Sequence, residues 1–202
     1  MLTETASQTA GPYLHIGMMP HAGGIDVPWA KGWHVLAGRE AQGQRIRLEG
    51  VIFDGTDTPV RDAQVEIWQA NAHGRYDHPD DRQDKALDPA FRGFGRAVAD
   101  FKTAVWWFDT VKPGAVPGRH GTVMAPHINV AIFARGINVH LNTRIYFADE
   151  AEANGKDPVL RLVEQEKRRQ TLMARREERE GQLVYRIEFR LQGDDETVFF
   201  DV

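Results

Sequence analysis

His127 and Asn129, in the stretch "PHINVAIFARG" (126–136), are the residues whose types and spacing first raise a question of chemistry. Residues two apart on an extended chain point to the same face. Two histidines so placed hold a transition metal through neutral imidazole nitrogens. Asparagine at the second position weakens that capacity, because an amide is neutral and a transition metal prefers imidazole, thiolate or phenolate to a carbonyl oxygen. Three readings are open: a metal site that has lost a ligand, a buried histidine hydrogen-bonded to the neighbouring amide, or a pocket with a different task. Tyr76 follows a glycine turn in "HGRYDH" (73–78), where by itself it reads as an aromatic packed beneath a loop. His73, His78 and His120 lie in loops near these motifs and are candidates to complete a site. Arg135 ends the stretch before Gly136. It is either a surface arginine paired with a carboxylate, a contact of little energetic weight, or a planar five-donor fork suited to an anionic ligand.

These residues need a scaffold, and the hydrophobic pattern predicts one made of strands. "RIRLEGVIFDG" (45–55) alternates Ile46, Leu48, Gly50 and Ile52 with polar positions and ends in an Asp-Gly turn, and "AQVEIWQA" (63–70) alternates likewise. "VWWFDTV" (105–111), "PHINVAIFA" (126–134), "VHLNTRIYF" (139–147), "LVYRIEFRLQ" (183–192) and "TVFFDV" (197–202) complete at least seven strands. In "VWW" one face is expected in the core and the other at a contact surface. The polar stretch 71–96 is long enough for a loop to be functional or poorly ordered. Residues 157–180 break the pattern. Asp157-Pro158 suits a helix start, and "ARREERE" reads as a solvated helix face that Gly181 terminates. The expectation is an all-β protein, an antiparallel β-sandwich over residues 46–202 with one helical excursion, preceded by an extended N-terminal arm, residues 1–45, rich in glycine and proline. Such an arm cannot form a core alone and must stay mobile or lie across another surface.

Composition narrows the function classes. A chain of 202 residues suits one domain. A net charge of −4 and a pI near 6.1 argue against a dedicated nucleic-acid binder. The absence of cysteine excludes disulfides and Zn–thiolate sites and favours a reducing compartment. The start of the chain reads neither as a secretory signal nor as a membrane span, so a cytoplasmic location is expected.

"SQTAGPYLHIG" (7–17), "VEIWQANAHGRYDH" (65–78), "DPAFRGFGR" (88–96), "TVKPG" (110–114), "APHINVAIFARGINVHL" (125–141) and "RIYF" (144–147), in this order, resemble the intradiol ring-cleavage dioxygenases. The resemblance runs from about residue 7 to the C-terminus. It implies a β-sandwich and an Fe(III) ion held by two tyrosines and two histidines, a donor set that suits a hard, highly charged cation. That ion activates a bound catecholate, whose ring then opens with O2 between its two hydroxyl-bearing carbons. Carried over position by position, the four ligand places fall on Tyr76, Val116, His127 and Asn129, so half the shell is missing and no metal is expected on this chain. One branch of the family is hetero-oligomeric, and its alpha chains look like decayed copies of iron-bearing beta chains. This sequence is similar to those alpha chains, which implies a beta subunit as partner, Fe(III) held by that subunit, and a dihydroxybenzoate substrate at a shared pocket. The same likeness marks Arg135, Gly11 and Pro12 as substrate-binding residues at the mouth of the partner's site. The alternatives are a self-sufficient dioxygenase with a degraded iron site, and a β-sandwich binding module with no enzymatic role.

Overall fold

In the computed structural model, residues 9–201 are described. Eight strands form one curled sheet in the order β3-β2-β7-β8-β9-β10-β1-β4. They are β1 (Arg45–Phe53), β2 (Gln64–Gln69), β3 (Phe94–Val98), β4 (Trp106–Val111), β7 (His127–Phe133), β8 (Leu141–Phe147), β9 (Met173–Arg179) and β10 (Gln182–Arg190). The short pair β5 (Val116–Pro117) and β6 (Val123–Met124) forms a separate two-stranded ribbon. The main sheet folds over into two four-stranded halves, joined among the described residues where Tyr146 and Phe147 of β8 pair with Met173 and Ala174 of β9. Between the halves lies one core, to which β1, β2, β4, β7, β8 and β10 contribute Leu48, Ile67, Phe108, Ile128, Ile145 and Phe189. Trp106 is fully buried there and stacks on Phe189 at 5.8 Å. Its neighbour Trp107 faces the other way, under the Arg47 guanidinium at 4.1 Å, so the core face expected of "VWW" is seen.

The structure corrects the sequence reading in several places. The sheet is mixed: β1 pairs with β10, and β8 with β9, in parallel. The helical excursion is shorter and earlier than the pattern suggests, with α2 (Ala151–Lys156), a 3-10 turn (Leu160–Leu162) and α3 (Glu166–Gln170). "ARREERE" is not a helix face but most of β9, in a hairpin with β10. Glu180 and Gly181, at φ of 52° and 77°, make the two-residue turn of that hairpin, a geometry that favours glycine and matches the twist of the flanking strands. Past Ala174 the strand is exposed and charged on both faces, a composition that discourages pairing along an open edge. The polar stretch 71–96 ends in a strand, β3, and the expected C-terminal strand is a single bridge between Asn142 and Phe200.

The N-terminal segment is not extended throughout. It holds α1 (Leu14–Met18) and two 3-10 turns, and inserts Leu36 and Ala37 into the main core. Among the described residues no helix is long and apolar enough to cross a membrane.

Candidate functional site

Of the four family positions, Tyr76 and Val116 line one pocket, and Asn129 joins them through the Tyr76 hydroxyl, while His127 lies two residues before Asn129 on β7. Pairing of β2, β7 and β8 sets Trp68 opposite Asn129, Asn129 opposite Arg144, and His127 opposite Tyr146. Tyr76 arrives from the loop after β2, which Asn71 shapes: its Oδ1 accepts hydrogen bonds from the backbone N–H of His73 and Arg75, each 3.0 Å. Gly74 is required in this loop, with φ of 78° and no room for a Cβ, which would stand 2.0 Å from the Ala115 carbonyl oxygen. That contact presses the loop onto the segment carrying Val116. The Tyr76 ring then stacks on Trp68 at 5.7 Å and 14°. Trp68, Tyr76, His78, Arg82, Val116 and Pro117 contribute to the lining of a cavity of about 510 Å³.

The donor chemistry at this place is not that of a metal centre. Val116 is an aliphatic side chain only 2 % exposed. Asn129 Nδ2 donates to the Trp68 carbonyl at 3.3 Å and to the Tyr76 hydroxyl at 3.4 Å. The Tyr76 phenol is raised above its ordinary pKa by burial, against the opposing effect of Asn129 and the positive Arg144, so it stays a neutral hydroxyl. His127 is 2 % exposed. Its Nδ1 lies 2.7 Å from the Ala125 carbonyl, so that nitrogen carries the proton, while Nε2 is buried without a partner. The expected bond between His127 and the Asn129 amide is therefore not formed; the Ala125 carbonyl, two residues before the strand begins, takes its place.

Arg144, which sequence reasoning passed over, brings a cation into the same space. Its Nη1 lies 3.5 Å from both the Tyr146 hydroxyl and the Met124 sulfur. Desolvation first, then the charge of Arg144, lowers the His127 pKa to about 4, against smaller opposing effects of the Ala125 bond and Asp157. Tyr146 donates in turn to Asp157 Oδ1 at 3.2 Å, and Asp157 Oδ2 accepts from Ala125 N at 2.8 Å. A ferric ion placed among Tyr76, Val116, His127 and Asn129 would meet one neutral phenol, one imidazole, a methyl surface, an amide already engaged and a guanidinium. These residues do not fit the ion. The loop histidines supply no substitute: His73 pairs with Gln42 at 2.9 Å, His78 lies edge-on to Trp68 at the rim, and His120 is exposed in a 3-10 turn. Among the described residues no three His, Cys, Asp or Glu side chains converge as a metal site.

Arg135, Gly11 and Pro12 lie apart from that pocket's lining, at the far end of β7 from His127. The arm is attached there: Ala10 N donates to the Ile137 carbonyl at 3.2 Å, and Gly136 N donates to Thr9 Oγ1 at 3.1 Å. The Arg135 side chain is 63 % exposed and forms an ion pair through Nε with Asp62 Oδ2 at 2.5 Å. Gly11 and Pro12 are exposed, and a Cβ on Gly11 would meet nothing within 4 Å. Among the described residues nothing demands glycine at that position.

Pocket and sheet together define a β-sandwich-like scaffold in which Val116 and Asn129 supply neither phenolate nor imidazole. A family model described as Dioxygenase matches residues 27–193. The protocatechuate 3,4-dioxygenase alpha chain of Pseudomonas putida is 50% identical over 202 residues, covering 100% of this chain and 98% of that relative. The protocatechuate 3,4-dioxygenase beta chain of Burkholderia cepacia is 43% identical over 110 residues, 54% of this chain and 46% of that relative. Among solved structures, 3-chlorocatechol 1,2-dioxygenase from Rhodococcus opacus 1CP superposes with a TM-score of 0.59 at 15% identity, covering 94% of this chain and 68% of that one, a likeness of fold. The chain belongs to the intradiol ring-cleavage dioxygenase family.

Proposed function

We propose that this chain is the alpha subunit of a protocatechuate 3,4-dioxygenase, working with a beta subunit that holds the Fe(III). The enzyme converts 3,4-dihydroxybenzoate and O2 to 3-carboxy-cis,cis-muconate. The ring bond between the two hydroxyl-bearing carbons breaks, and both oxygen atoms enter the product. The observation that carries this reading is the donor set: the chain keeps the family's scaffold, yet Val116, Asn129 and Arg144 leave the four ligand positions unsuited to a ferric ion. Arg135, with Gly11 and Pro12 beside it on the docked arm, then serves the partner's pocket by meeting the substrate carboxylate. Its exposure and the open space around Gly11 support that role. The chain works in the cytoplasm, where a protein without cysteine has no need of an oxidising compartment.

Replacing Arg135 tests the role in the assembled enzyme. Loss of a charge-assisted hydrogen bond costs about 1.5–3 kcal/mol, or roughly ten- to somewhat over a hundred-fold in affinity. Arg135→Ala is expected to raise KM for protocatechuate by that factor. A contact equally strong in ground and transition states leaves kcat unchanged. Iron content and colour stay the same. Catechol, which lacks the carboxylate, is the control whose turnover the substitution leaves alone. An unchanged KM for protocatechuate would assign Arg135 to the ordinary surface.

A further inference from the structure

We propose that Asp62 is the positioning residue for Arg135, holding the guanidinium so that its two Nη groups face out of this chain toward an anionic carboxylate. The inference rests on the reading of Arg135 as the carboxylate-binding residue. It starts from strand register. β2 and β7 run antiparallel with Gln64 opposite Phe133. Both strands end at that pair, and the chain two residues beyond it on each side carries Asp62 and Arg135 in adjoining turns. The two side chains meet across the end of the strand pair, in the ion pair between Arg135 Nε and Asp62 Oδ2.

The pair is lopsided in a way that suits positioning. The Asp62 side chain is 7 % exposed, whereas that of Arg135 is 63 % exposed, so the acid lies at the base of the arginine. The recorded contact, 2.5 Å, reaches Nε and leaves the far edge of the fork open. Among the described residues no second carboxylate pairs with Arg135. A guanidinium carries five N–H donors on separate edges and can serve one acid through Nε while presenting a parallel pair to another. Without a tether, a long side chain beside Gly136, where φ is 86°, would lose more conformational freedom on binding.

Asp62 also opposes binding, since its negative charge offsets part of the field that draws an anion. The two effects have opposite signs, which makes the proposal decidable. If positioning dominates, removing Asp62 weakens substrate binding; if charge compensation dominates, removal strengthens it.

The experiment uses the complete complex of this chain with its iron-bearing partner, comparing Arg135→Ala, Asp62→Ala, Asp62→Asn and the Arg135→Ala/Asp62→Ala double variant. Asp62→Ala is expected to raise KM for protocatechuate about three- to ten-fold, with kcat within about two-fold, a fraction of the Arg135→Ala effect because the cation itself remains. Asp62→Asn, which keeps an acceptor oxygen without the charge, raises it less. The double variant matches Arg135→Ala alone, because residues acting through one contact are not additive. A KM that is unchanged or lowered in both Asp62 variants, while Arg135→Ala raises it, overturns the positioning role and leaves the reading of Arg135 intact. Should Arg135→Ala itself leave KM unchanged, that reading falls and this proposal with it. If Asp62→Ala does not assemble, the near-isosteric Asp62→Asn decides the question by the same criterion.

Discussion

Val116 and Asn129 remove two donors from the pocket, and Arg144 adds a positive charge beside the two that stay. Restoring ligands alone therefore leaves a guanidinium on the residue paired with Asn129 across the β7–β8 ladder, and like charges in a half-buried site repel strongly. Val116→Tyr/Asn129→His is expected to take up no stoichiometric iron, whereas adding Arg144→Met allows weak binding visible as a tyrosinate-to-iron absorption. Equal iron in the double and triple variants would remove Arg144 from the account. His127 gives a pH dependence at the same place. Its pKa falls from 6.5 to about 4 on folding, so the unfolded chain binds the extra proton between those values. Stability is fully present above pH 6.5 and declines as pH falls toward 4, by on the order of 3 kcal/mol at about 1.4 kcal/mol per pKa unit. Melting scans across that window are expected to show a shallower decline for His127→Gln; parallel slopes would contradict it. Tyr76, Val116, His127 and Asn129 could be singled out in the sequence because the order of motifs resembles the family's, and only for His127 and Asn129 does strand alternation add a shared face. Arg144 could not, since its position depends on the β7–β8 register, and the one hint was a charged residue alternating with Tyr146 on the same strand face.

At the scale of elements, most strand positions were readable from period-two alternation, and β9 was not. "MARREER" carries residues that favour helices, and no alternation marks a buried face. Tertiary pairing decides the matter. β10 offers a full ladder, the Glu180-Gly181 turn sets the register, and Arg179 reaches Glu49 on β1 at 3.0 Å. Glu49 is buried, yet its pKa lies below the ordinary value: desolvation raises it, but Arg179 and Arg47 outweigh that. Gly181→Val forces a β-branched residue into the left-handed region at a cost of about 1–2 kcal/mol. In a chain of this size that lowers Tm by about 2–4 °C per kcal/mol. An unchanged Tm would mean that the turn does not set the hairpin.

The whole molecule presents apolar groups that its own core leaves uncovered. Tyr13 is 75 % exposed, Trp29 64 % and Ile25 52 %, all on the N-terminal segment that also carries Gly11 and Pro12. Such side chains favour association, and the isolated chain is expected to be less soluble and to melt lower than the complex, as light scattering and a thermal scan would register. Composition suggested a segment that stays mobile or lies across another surface; that Leu36 and Ala37 anchor it in this chain's own core was not legible, because single apolar residues among glycines and prolines show no period. Iron analysis with visible spectroscopy, on this chain alone and then with its partner, tests the division of labour most directly. The isolated chain should be colourless, without stoichiometric iron, and the complex coloured, with iron matching the count of partner chains. About one tightly held iron per isolated chain would contradict the account.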